Sequence, residues 1–106
     1  MKYKLPKDIK EKMEREIRQY DSNKKKLEKI KQSGSTRQLL YIEERLEHVE
    51  TAYELLKEDE QKIYNYIFKK GCNWLYCQTM YNIDKNTYYT VYNKSLYLLA
   101  QEWGEI

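Results

Sequence analysis

Within ten residues, from Lys85 to Lys94, the chain carries Lys85, Asn86, Thr87, Tyr89, Thr90, Asn93 and Lys94. These side-chain types suit the reading of double-stranded DNA. An asparagine amide matches an adenine edge through two hydrogen bonds. Lysine meets phosphate or guanine, and threonine or tyrosine reaches phosphate or the thymine methyl. At helical spacing Lys85, Asn86, Tyr89, Thr90, Asn93 and Lys94 are expected to point away from the apolar set Tyr88, Val91, Leu96, Leu99 and Trp103.

Other combinations fall short of a reaction centre. Cys72 and Cys77 are five apart, and His48 is the only histidine. A zinc site needs four ligands at characteristic spacings, so the cysteines read as small core residues. His48 lies among Glu44, Glu47 and Glu50, without the oriented partner and pocket that acid–base catalysis needs. It reads as a solvated helix position. Glu43, Glu44, Glu47, Glu50 and Glu54 read as a solvated face that pairs with a basic helix. No glycine-rich phosphate loop or nucleophile motif occurs. The expectation is a non-enzymatic protein with no metal and no cofactor.

The elements that must position the polar stretch are helices. Of 106 residues only three are glycine and one is proline, while 35% are charged. Such punctuation favours helices over many short turns. The mean hydropathy of -1.03 suits long solvated helices around one modest core. Twelve tyrosines and two tryptophans supply the apolar area that a disordered chain would lack. No apolar run approaches the ~20 residues of a membrane span, and no apolar segment follows the basic start Met1-Lys2-Tyr3-Lys4 to make a signal peptide. A cytoplasmic protein with reduced cysteines is expected, with no membrane partner.

Pro6 fits the first turn of a helix. Ile9, Met13, Ile17, Tyr20, Leu27 and Ile30 then form one apolar stripe, predicting a helix over 6–32. Gly34 ends it, and Ser35 or Thr36 caps the next. That second helix carries Leu39, Ile42, Leu46, Val49, Tyr53 and Leu56, a heptad seam with steps of three and four. Residues 1–34 hold twelve Lys/Arg against six Asp/Glu, residues 35–58 three against six, and residues 59–106 five against five. A short link between two striped helices predicts an antiparallel hairpin over 1–58, and a basic helix beside an acidic one supports it. The same seam offers a surface for a homo-oligomer.

Residues 59–106 predict a second unit of three helices. Asp59 caps the first, whose inner face holds Ile63, Tyr66 and Ile67, with Tyr64 and Phe68 as further candidates, and which stops at Gly71. A short helix runs from Cys72 or Asn73 to Tyr81, with Leu75, Met80 and Cys77 or Gln78 near its inner side. Asn82-Ile83-Asp84 makes a turn and a cap, and the last helix runs from Lys85 to Trp103. A short bracing helix, a tight turn and a longer helix with a polar leading face make a helix-turn-helix. The rival assignment is plain three-helix packing with a solvated polar face. The fold class is all-α: an N-terminal hairpin plus a C-terminal helix-turn-helix unit.

The stretch from Glu60 to Leu99 resembles region four of bacterial primary sigma factors. There, a sequence of the type Ile-Ser-Lys-Ser-Thr-Val-Tyr opens the recognition helix, and Ile83-Asp84-Lys85-Asn86-Thr87-Tyr88-Tyr89 stands in its place. Leu98 to Glu105 is similar to the Leu-Ala-Glu-Glu-Leu-Gly-Glu ending of the RinA-type phage late-transcription activators. Leu5-Pro6, Glu16, Ile17, Tyr20, Asp21 and Leu27-Glu28 match the style of that family's start. The resemblance implies a regulator that binds upstream of phage late genes and acts with RNA polymerase. It puts Lys85, Asn86, Thr87, Tyr89, Thr90, Asn93 and Lys94 on the recognition helix. Relatives carry dense Arg and Lys there, whereas this helix is rich in tyrosine. Two rival functions follow from the same features: a small terminase-like DNA-packaging subunit, and a helical protein adaptor that does not bind DNA.

Overall fold

Pro6, at φ -55°, opens α1 (Lys7–Arg18) where its missing N–H is not needed. The computed structural model describes residues 3–34 and 36–106, and these fold as helices joined by short links. After α1 come α2 (Tyr20–Ser33), α3 (Thr36–Glu54) and α4 (Glu58–Tyr64), which continues as a π-helical turn over Asn65–Lys69. Next are α5 (Trp74–Tyr81) and α6 (Lys85–Glu102). Among the described residues there is no strand, and no helix is long and apolar enough to cross a membrane.

The expected helix over 6–32 is interrupted at Gln19, where ψ is 0°. Its hydrogen bonds nearly run through: the Gln19 N–H donates to Arg15 O at 2.9 Å, and the Asn23 N–H donates to Gln19 O at 2.8 Å. The axis bends because the two halves have different partners. Met13 and Ile17 of α1 enter the core shared with α6, while α2 packs against α3. Glu16 bridges the groups at the bend, accepting from Arg45 Nε at 3.0 Å and Nη2 at 2.8 Å. Arg45 is the kind of fork that holds a carboxylate with two parallel bonds.

Gly34 ends α2 in the left-handed region at φ 79° and donates its N–H to Ile30 O. Only glycine enters that region without a steric penalty. The expected cap at Ser35, like the basic start at Met1 and Lys2, lies outside the described residues. Along α3 the seam turns inward. Ile42, Leu46, Val49 and, just past the helix, Leu56 are buried, while Leu39 and Tyr53 are half-buried. Their apolar area is thus taken up inside the chain. Leu40, Tyr41 and Leu55 remain exposed.

The core does not stop at residue 58. Met13, Val49, Ala52 and Leu56 share one cluster with Tyr64, Ile67, Val91, Leu96 and Leu99. α4 begins two residues earlier than expected, so Asp59 sits in the first turn and Lys57 holds the cap position. The Lys57 N–H donates to Glu60 Oε1 at 2.9 Å, which satisfies one of the orphan donors at a helix start.

Several tyrosines are fixed by hydroxyl bonds as well as packing. Tyr92 donates to Glu14 at 2.8 Å, Tyr88 donates to the Cys72 carbonyl at 2.8 Å, and Tyr20 donates to Glu50. Burial, then the hydrogen bond and charge of Glu50, push the Tyr20 phenol up to about 12 from its ordinary 10.0. Burial and Glu14 push Tyr92 up in the same way, and burial does so for Tyr64. A raised phenol keeps its proton longer in the folded state. Its contribution to stability is complete below about 10 and is lost as pH rises through 10 to 12. We expect the melting temperature to fall over that window, and to fall less in Tyr20→Phe. Parallel pH–stability curves for the two proteins check it.

Candidate nucleic-acid interface

α6 starts from a well-defined turn. Asn82 takes the left-handed conformation at φ 55°, which short polar side chains tolerate. Asp84 then caps the helix, its Oδ1 accepting from the Thr87 N–H at 2.8 Å. Hydrogen bonds from Thr87 hold the Asp84 carboxyl below its usual range. The cap fixes where the first turn of α6 emerges.

α5 leans on the rest of the fold through Trp74, Cys77 and Tyr81, spaced three and four apart along one face. Asn73 caps it by accepting from the Tyr76 N–H at 2.8 Å. Leu75 and Met80, expected near its inner side, are instead 56% and 59% exposed. A helix of eight residues has room for one inward row, and those two lie off it.

The seven polar residues of α6 divide. Lys85, Asn86, Thr87, Tyr89 and Thr90 are exposed over the first two turns. Asn93 and Lys94 depart from the expectation. Asn93 is 9% exposed, and Lys94 Nζ donates to Glu60 at 2.8 and 3.0 Å, in a pair whose side chains are 17% and 15% exposed. The physical reason is that α4 covers the flank of α6 at Lys94, and α4 together with the segment Tyr3–Leu5 borders Asn93. Burial acts to raise the Glu60 carboxyl, but the hydrogen bonds from Lys94 and the Lys57 N–H and the nearby positive charges outweigh it. The net shift is downward. Sequence reasoning missed this pair. A clue was present in the type of residue 60, an acid in the first turn of α4.

Around the exposed turns the electrostatics are uneven. On one side Asn86, Thr87, Tyr89 and Thr90 border a groove of about 550 Å³ that Asp59 and Glu60 also line. On the other side stand Lys85, whose Nζ lies 4.6 Å from the Trp74 ring centre, and Lys70, which lies over Tyr66 and Tyr81. A polyanion is favoured on the second side and repelled from the first.

No protein family, characterised protein or solved structure matches this chain. The remaining candidate groups have structural settings. Among the described residues no three His, Cys, Asp or Glu side chains cluster in a way that could hold a metal ion. Cys77 is buried, and burial first, then the neighbouring Cys72, raises its pKa. Such a thiol is a weak nucleophile at neutral pH. His48 is not fully solvated as expected: its ring packs 5.4 Å from Trp103, and Glu44 lies 3.7 Å away.

Proposed function

We propose that the chain is a sequence-specific DNA-binding regulator in which α5, the turn over 82–84 and α6 act as a helix-turn-helix. Its resemblance to RinA-type activators and to sigma region four points to late-gene transcription with RNA polymerase. The observation that carries this reading is the exposed row Lys85, Asn86, Thr87, Tyr89 and Thr90, set on the first turns of a capped helix. Those turns are the part of a recognition helix that enters the major groove. Asn86 would read adenine, Lys85 a guanine or phosphate, and Thr87, Tyr89 and Thr90 the neighbouring backbone or a thymine methyl. The exposed Leu75, Tyr76 and Met80 on α5 suit a protein contact beside the DNA, as an activator touching polymerase would need.

Selection of bound fragments from a random duplex pool tests it. A sequence motif that survives near-physiological salt is the expected result. Asn86→Ala should then weaken the selected site by about 1–3 kcal/mol, with an unchanged melting temperature. Binding only at low salt, with no motif, would overturn the reading.

A further inference from the structure

With Lys94 paired to Glu60, α6 offers a single lysine to phosphate, Lys85. Non-specific DNA affinity arises mainly from neutralised phosphates, so one lysine makes a weak site. More charge lies close by, in an unusual arrangement. Lys24 and Lys69 both sit by the Tyr20 ring, at 5.9 and 4.4 Å from its centre. Lys70, the next residue, lies 5.2 Å from the centre of Tyr66 and 5.8 Å from that of Tyr81, two rings stacked 3.9 Å apart. Lys85 completes the series on Trp74. Lys70 and Lys85 thus flank α5, one on the ring at its end and the other on the ring at its start.

Each ring holds a lysine stem and head in place without cancelling its charge. Lys69 has a carboxylate partner, Asp21 at 3.1 Å. Lys24, Lys70 and Lys85 have none among the described residues. Three acids on or beside these elements are engaged elsewhere: Asp21 pairs with Lys69, Glu50 accepts from Tyr20, and Asp84 caps α6. Lys10, on the Tyr92 ring, is seated in the same way, but Lys24, Lys70 and Lys85 follow one another through the Tyr20, Tyr66, Tyr81 and Trp74 rings, an arrangement suited to an anion from outside.

The geometry points to a phosphate-tracking strip, Lys24–Lys70–Lys85, that grips the DNA backbone beside the bases α6 reads. This rests on the proposed DNA-binding function and extends the contact onto α2, outside the helix-turn-helix. The strip also lets a C-terminal segment of zero net charge hold a polyanion: it gathers that segment's Lys70 and Lys85 on one side, and α2, in the basic third of the chain, adds Lys24.

The test compares Lys24→Gln/Lys70→Gln with Lys7→Gln/Lys62→Gln, which removes the same charge from sites off the strip. Binding of a labelled random-sequence duplex is followed by anisotropy across a salt series. For the strip variant the slope of log K against log salt should become shallower by about 2, near 0.9 for each phosphate no longer neutralised. The off-strip variant should keep the wild-type slope. Equal slopes for both variants would reduce the strip to net charge and overturn it. Unchanged binding by the strip variant, where Asn86→Ala still weakens a selected site, would overturn the strip alone. Failure of the wild-type chain to bind duplex DNA even at the lowest salt would overturn the strip and the function together.

Discussion

Met13→Ala should destabilise the protein by about 2–5 kcal/mol, the usual cost of deleting a buried methionine side chain. Met13 is completely buried, although it lies only seven residues into the first helix. It sits in the same cluster as Leu96 and Leu99, which are also fully buried. α1 is bound to the far end of the chain by Tyr92–Glu14 and Lys12–Glu105 as well. The variant should therefore weaken the whole molecule. Urea unfolding followed by tryptophan fluorescence and by far-ultraviolet circular dichroism should show one transition, shifted by the same amount. A change confined to one part of the signal would mean that the helices of 1–58 and 59–106 melt independently.

Lys94→Ala should be the second large loss, about 2–4 kcal/mol, because it strands the Glu60 carboxylate beside α6. For a chain of this size that lowers the melting temperature by roughly 10 °C or more. Paired removal by Glu60→Gln with Lys94→Met should recover most of it, since replacing both members of a buried pair avoids the uncompensated charge. DNA affinity per folded molecule should stay near wild type in the double variant. A stable Lys94→Ala protein with weakened DNA binding would restore Lys94 to the reading face.

The contrast between Lys94 and Asn86 shows how far the sequence could be read. Helix ends were legible at Gly34, Asn73 and Asp84, because such caps are local, but not at Lys57, where the acceptor is Glu60 three residues on. The seam of α3 was legible because its three-four rhythm survives in the inward row Ile42, Leu46 and Val49. The bend at Gln19 was not. Neither glycine nor proline marks it, and its cause is a choice of partners remote in sequence. The apolar stripe did hide a trace, a step of seven between Tyr20 and Leu27. Asn23 fills that gap and is buried, so periodicity in apolar type alone passes over it. Helical phase placed Asn93 and Lys94 outward, correctly relative to one helix axis but without knowledge of α4. The same blindness applied to Leu75 and Met80, where apolar type suggested burial that a two-turn helix could not provide.

The pairing of α1 with α6 has a consequence for how the protein is made. The hydroxyl of Tyr92 meets Glu14 across 78 positions, and Lys12 meets Glu105 across 93. Translation delivers α1 to the tunnel exit long before α6 is polymerised. During that interval Met13 and Ile17 face water without the surface that covers them. α2 and α3 can zip together as they emerge, since their partner residues are close in sequence, but the core itself waits for the last helix. Non-local closure of this kind slows folding and leaves apolar surface uncovered meanwhile. Residues 1–34, with twelve Lys/Arg against six Asp/Glu, carry a net positive charge through that interval, and like charge opposes self-association.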